Sequence, residues 1–234
     1  MKPFIFVLLL LHFTILSAQN LTPKKNILNE STVVKTTVGT IYPYTIWQRL
    51  LQTGDFSLRA EEPANEKTAY IIYPLTEKEK EKRLASMPKP NESKYFTTGK
   101  SFGKFKTTDM NGNKINTQDL KGKTIVMNFW FINCPPCRTE IPHLNKLVDK
   151  YKEDKNIVFI AVALDDASEI KIFLKSIPFN YQIIDQGRWL ASNYSINSYP
   201  TNVVIDKEGI VRFHSSGYGI QLPYWIEKTI EEIK

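Results

Sequence analysis

The chain has 234 residues, 42% of them apolar, with 13 Pro, 10 Gly and two Cys. This composition excludes wholesale disorder, a collagen-like fibre and a disulfide-stapled miniprotein. The formal charge of +7 arises from 31 Lys and Arg against 24 Asp and Glu, and the lysines are interleaved with glutamates, as from Thr76 to Arg83. That is the pattern of a solvated surface, and no nucleic-acid partner is expected from it.

The elements begin with Met1-Lys2-Pro3 and a nearly unbroken apolar run from Phe4 to Leu16, followed by Ser17-Ala18-Gln19-Asn20. Charge, apolar run and small residues in that order predict a secretory signal peptide over residues 1–18, cleaved after Ala18. As a helix at about 1.5 Å per residue the run spans only about 20 Å, against a hydrocarbon core of about 30 Å, so a retained signal anchor is the alternative and not the first reading. No Cys precedes Cys134, so no lipid-bearing N-terminal cysteine is expected. The predicted product is exported, soluble after cleavage and periplasmic.

Residues 19–95 predict a small α+β region. A β-branched stretch from Thr32 to Val38 precedes an aromatic and aliphatic segment from Ile41 to Leu51 that reads as strand then helix, closed by Gly54. Phe56 to Arg59 and Ala69 to Tyr73 read as further strands, and Glu77 to Met87 as an exposed charged helix stopped by Pro88 and Pro90. No catalytic constellation stands out in this region. Pro88 to Ser93 has the composition of a linker, which places a boundary near residue 95.

Over residues 96–234 strands alternate with helices. Thr124 to Phe131, Ile157 to Leu164, Tyr181 to Ile184, Asn202 to Ile205 and Ile210 to His214 read as strands. Pro135 to Tyr151, Ser168 to Lys175, Arg188 to Tyr194 and Leu222 to Ile233 read as helices. The alternation predicts an α/β domain, a central mixed sheet flanked by helices on both faces. The short turn at Lys207-Glu208-Gly209 requires an antiparallel edge, because so short a connection cannot make a parallel crossover.

The two cysteines stand as Cys134-Pro135-Pro136-Cys137, directly after an apolar strand and at the start of a helix. A structural zinc needs four ligands, and the region after the leader adds only His143 and His214, so no metal is expected. A purely structural disulfide is also disfavoured, because so short a loop constrains the unfolded chain little. A redox pair is the leading reading. Unpaired N–H groups and the helix dipole at the helix start would lower the pKa of Cys134 and make it the nucleophile, with Arg138 adding positive charge. Pro135 and Pro136 can open the helix because the N–H they lack would be unpaired there. Cys137, one turn inside, would resolve the mixed disulfide.

Trp130, the CPPC sequence, Glu140, Pro142, Tyr199-Pro200-Thr201 and Asp206-Lys207-Glu208-Gly209 together resemble the ResA/TlpA branch of the thioredoxin superfamily, exported bacterial thiol-disulfide oxidoreductases. The resemblance covers residues 97 to 234 and implies a thioredoxin-like fold. It implies a cis Pro200 beside the dithiol, a Tyr199 backbone that pairs with an extended substrate, and Trp130 near the dithiol as part of the substrate-binding set. It also implies a Glu140 that tunes the thiols or relays a proton, on the same helical face as Cys137. Asn128 stands where thioredoxin has a buried Asp, and Asn cannot accept a proton. The expected cofactor is none beyond the Cys134–Cys137 disulfide. The expected partners are exported thiol or disulfide proteins, with cytochrome c maturation as one client process, and a membrane electron donor for re-reduction. A peroxiredoxin-like thiol peroxidase and a copper-handling thioredoxin-fold chaperone remain as alternatives, and a vestigial dithiol on an interaction module is a third.

Overall fold

A computed structural model describes residues 28–65 and 68–234. The expected signal peptide lies outside the described residues. Among those residues, no helix is long and apolar enough to cross a membrane.

The first region builds β1 (Val34–Lys35), β2 (Ile41–Tyr42), α1 (Tyr44–Gln52), β3 (Phe56–Ala60), β4 (Tyr70–Pro74) and α2 (Glu77–Ser86). Its sheet runs β2-β1-β4-β3, with β1 and β4 parallel and the other two pairings antiparallel. Val34, Trp47 and Ile72 form a small core, with Tyr44 edge-on to Trp47 at 4.9 Å. Gly54, at φ +78°, follows α1 in the left-handed conformation that glycine adopts freely, and a Cβ there would meet Ile220 at 2.3 Å. α2 has no buried residue and is held at its start by a capping box: the Thr76 hydroxyl accepts from the Glu79 N–H, and Glu79 accepts from the Thr76 N–H.

The second region comprises β5 (Lys106–Thr108), β6 (Lys114–Asn116), β7 (Thr124–Trp130), α3 (Pro135–Tyr151), β8 (Ile157–Ala163), α4 (Ala167–Leu174), β9 (Gln182–Ile184), α5 (Arg188–Asn193), β10 (Thr201–Ile205), β11 (Val211–Ser216) and α6 (Leu222–Ile233). The five-stranded sheet has the order β11-β10-β7-β8-β9. β7, β8 and β9 are parallel, whereas β10 is antiparallel to both β7 and β11, so the antiparallel part reaches the centre of the sheet rather than its rim alone. Every residue of β7 and β10 is buried because both faces of these central strands are covered, the polar Asn128 and Asn202 included.

Alternation along the strands sorts the core into two layers. Val126 and Trp130 face α3, α4 and α6 through Ile141, Leu144, Ile170, Phe173, Leu222 and Ile226. Ile125, Met127 and Phe129 face the other way, where α5 shares the cover with Phe102, Phe105 and Ile115. The β5–β6 hairpin that supplies Ile115 carries no expectation from sequence. Its strands are three residues each and are punctuated by polar residues, so periodicity is faint there.

The proline-rich segment before residue 95 is not a free span. Its Ser93 N–H donates to Nδ1 of the buried His214 on β11 at 3.0 Å, and the Pro88 carbonyl accepts from the Gln221 amide. Linker-like composition therefore coincides with a strap laid against the second region, held by the buried His214 acceptor, by Gln221 and by Lys89 over the Phe213 ring.

Candidate active site

β7 carries the chain to the end of the central strand, and α3 begins after four further residues, Phe131 to Cys134. Cys134 is the N-cap of α3, in an extended conformation, with Pro135 and Pro136 in the first turn. The two cysteines are joined as a disulfide. Cys134 Sγ accepts the Cys137 backbone N–H at 3.3 Å, which is one of the donors a helix start leaves unpaired.

Cys134 is 2% exposed and Cys137 is fully buried. The expectation of an open helix start therefore needs correction at the first cysteine. Asn133, Pro135 and Pro136 are exposed, while both sulfurs belong to the core layer over which Phe131, Ile132 and Tyr199 pack. What distinguishes the cysteines is the N–H directed at Cys134, which favours a thiolate there and has no counterpart at Cys137. Arg138 is exposed, with its guanidinium over the Phe173 ring at 5.7 Å.

The Tyr199–Pro200 peptide bond is cis. Pro200 is buried and Tyr199 half-buried. The Tyr199 ring stands edge-on to Phe131 at 5.5 Å, and its hydroxyl donates to the Ile196 carbonyl at 3.1 Å. That contact ties the loop before β10 to the loop before Cys134.

Glu140 lies one turn beyond Cys137 on α3 and is fully buried. Its Oε1 accepts from the Asn128 amide at 2.6 Å and its Oε2 from the Asn202 amide at 3.3 Å. Asn128 and Asn202 are register partners on β7 and β10, and the Asn128 amide also donates to the Asn202 side-chain oxygen at 3.0 Å. Burial raises the Glu140 pKa to about 8, against two amide donors that act to lower it. The carboxyl is thus poised to exchange a proton near neutral pH.

Trp130 does not fit the substrate-binding place expected of it. It is fully buried, with Phe173 and Phe179 at 5.4 and 5.6 Å, because strand alternation points it inward alongside Val126 and Asn128. It supports the wall behind the dithiol. Asn202 is the residue that sequence reasoning missed. The available signal was an amide within Thr201-Asn202-Val203-Val204-Ile205, since a buried polar side chain in a central strand needs a buried partner.

Among the described residues, no group of three or more His, Cys, Asp or Glu side chains is placed to hold a metal ion. Sheet order, helix placement and a cysteine pair at the start of the helix after the central strand put this domain in the thioredoxin-like class. Residues 98–214 match the AhpC/TSA family model, and the chain belongs to that family. It is 40% identical over 115 residues to the thiol-disulfide oxidoreductase ResA of Bacillus cereus, a match covering 48% of this chain and 66% of the relative, just under two thirds of its length. ResA of Halalkalibacterium halodurans is 33% identical over 132 residues, covering 56% of this chain and 73% of that protein. Among solved structures, the thioredoxin domain of a Bacteroides vulgatus thiol-disulfide oxidoreductase superposes with a TM-score of 0.51 at 25% identity, over 59% of this chain and 99% of that one. A DsbE-type thiol:disulfide interchange protein of Chlorobium tepidum superposes with a TM-score of 0.54 at 24% identity, over 59% and 98%, and shows the fold alone.

Proposed function

We propose that this protein is a thiol-disulfide oxidoreductase that reduces, or rearranges, disulfides in other exported proteins of the periplasm. The observation that carries the reading is the Cys134–Cys137 disulfide, capped by its own helix N–H and backed by a buried carboxyl of raised pKa. In the reduced form Cys134 thiolate attacks a substrate disulfide, forming one S–S bond and expelling one substrate thiolate, which takes up a proton. Cys137 then gives its proton to Glu140 and attacks Cys134 Sγ. The internal disulfide re-forms and the second substrate sulfur leaves, so two electrons pass to the substrate. Tyr199 and the edge of Pro200 form the substrate-facing surface. Return to the dithiol requires two electrons and two protons from a membrane thiol donor, and cysteines awaiting haem attachment in cytochrome c maturation are one client class. No further cofactor enters the cycle.

The test is a Cys137→Ser variant mixed with a disulfide-bonded exported protein. A mixed disulfide mapping to Cys134 is expected, and Cys134→Ser should be inert. Turnover by Cys134→Ser would overturn the reading, and consumption of hydrogen peroxide faster than of protein disulfide would replace it with the peroxidase reading.

A further inference from the structure

The loop that carries Tyr199 and Pro200 starts in a conformation that its own sequence disfavours. Ser195 is left-handed at φ +57°, which a residue with a Cβ keeps only where its surroundings enforce it. Ile196 is buried with its N–H on the Ala191 carbonyl at 2.9 Å, and the Thr201 hydroxyl donates to the Ser198 carbonyl at 2.8 Å. Between these ties Asn197 is exposed, and its side-chain oxygen accepts the Tyr95 hydroxyl at 2.5 Å from a segment 102 positions earlier in the chain.

Tyr95 stands at the end of the strap, ahead of the family match that starts at residue 98. The chain is fixed on both sides of it. The Ser93 N–H is on His214, and the Ser93 hydroxyl accepts the Tyr95 N–H at 3.1 Å. Phe96 packs against Phe102, Phe129 and Tyr194, with ring centroids 5.6, 6.4 and 5.3 Å away. Tyr95 and Tyr199 are both half-buried and lie against the same core layer. A tyrosine has two side-chain torsions, so a backbone anchored at 93 and 96 delivers the hydroxyl to Asn197 at little entropic cost.

We propose that Tyr95 is a specificity-determining positioning residue: its hydroxyl on Asn197 holds the Ser195–Pro200 loop in the shape that docks an extended polypeptide, and so favours polypeptide disulfides over small ones. A polypeptide laid along Tyr199 binds more tightly when that loop is ordered beforehand, whereas a small disulfide has only to reach Cys134. Tyr95 acts through Asn197 and does not touch the sulfurs. The inference rests on the dithiol reading above, and it gives residues ahead of the thioredoxin-like domain a part in substrate selection.

The test mixes pre-reduced full-length protein with an unfolded polypeptide that retains one disulfide or, separately, with oxidised glutathione, and follows the rate against substrate concentration. Tyr95→Phe keeps the ring and removes the hydroxyl. It should raise the half-saturating concentration of the polypeptide about threefold to fivefold, with the limiting rate and the glutathione rate as in the parent. Asn197→Ala should do the same, Asn197→Asp should keep the parent's value because it retains an oxygen acceptor, and Tyr95→Phe with Asn197→Ala should be no worse than either alone. Unchanged half-saturation in both single variants overturns the proposal. So does an equal loss on both substrates, which marks a packing role, or additive losses in the double variant, which mark two independent contacts. Should Tyr95→Phe fail to fold, the contrast between Ala and Asp at the exposed position 197 decides. Failure of the dithiol reading is distinct, since the parent would then reduce neither substrate.

Discussion

Burial and hydrogen bonding pull Glu140 in opposite directions, and the direction of the net effect makes a prediction. The two asparagine amides favour the carboxylate, whereas complete burial favours the neutral acid and prevails, raising the pKa from 4.5 to about 8. A group whose pKa is higher when folded contributes stability that is full below its unfolded pKa and lost as pH rises through its folded pKa. The oxidised protein should therefore lose stability between about pH 4.5 and 8 on this account. Glu140→Gln, neutral at every pH, should be the more stable form at pH 9 by on the order of 3–5 kcal/mol and close to the parent at pH 4. Urea titrations at the two pH values measure this, and parallel pH–stability curves for variant and parent would refute it. The same variant should flatten the pH dependence of mixed-disulfide resolution, because Cys137 then has no carboxylate to receive its proton.

At the level of elements, the buried contact of the strap before residue 95 is made by one side chain of β11. His214 is 2% exposed, and its Nδ1 accepts the Ser93 N–H, so the folded protein requires that nitrogen unprotonated. Burial lowers its pKa below the usual 6.5, with Lys89 acting in the same direction and Glu92 opposing. A histidine held neutral in the fold contributes stability that is present above its unfolded pKa and lost as pH falls below about 6.5. Cleavage by a protease within residues 88–95 should accordingly accelerate between pH 7 and 5. In His214→Gln the cleavage rate should vary much less over that interval, after correction for the protease's own pH profile. Equal pH dependence in the two proteins would show that the strap is held by something else. Helix α3 illustrates the opposite case, in which its start is marked by local chemistry: two prolines in its first turn and a cysteine N-cap.

For the molecule as a whole, the redox poise follows from how unequally the two sulfurs are treated. Reduced pairs that are strongly stabilised as thiolates make oxidants, and here only Cys134 has a stabilising N–H, while Cys137 is sealed in the core beside a carboxyl. The pair should therefore lie in the lower part of the range from about −270 mV for thioredoxin to about −120 mV for a strong oxidase. Equilibration with glutathione buffers, followed by acid trapping, measures the value. A potential near the oxidising end would make the protein a disulfide-forming enzyme.

What the amino-acid sequence determined by itself is local or nearly so. The helix start at Cys134, the strands on either side of the Lys207-Glu208-Gly209 turn and the capped helix from Glu77 were legible because each depends on neighbours within a few residues. Cys134 and Cys137 stood out by their spacing, whereas Pro200 was singled out only through the family resemblance. Tertiary structure decided the rest. Trp130 moved from the substrate surface to the interior, since only the packing of α3 and α4 shows which face of β7 is covered. Asn202 joined the site across 62 residues from Glu140, through the antiparallel pairing of β10 with β7 that no local pattern encodes. Glu140 acquired its raised pKa from the depth of burial, which is a property of the assembled layers and not of any segment. Sequence periodicity records which side chains avoid water, whereas which buried polar groups meet is settled only when distant strands and helices close over them.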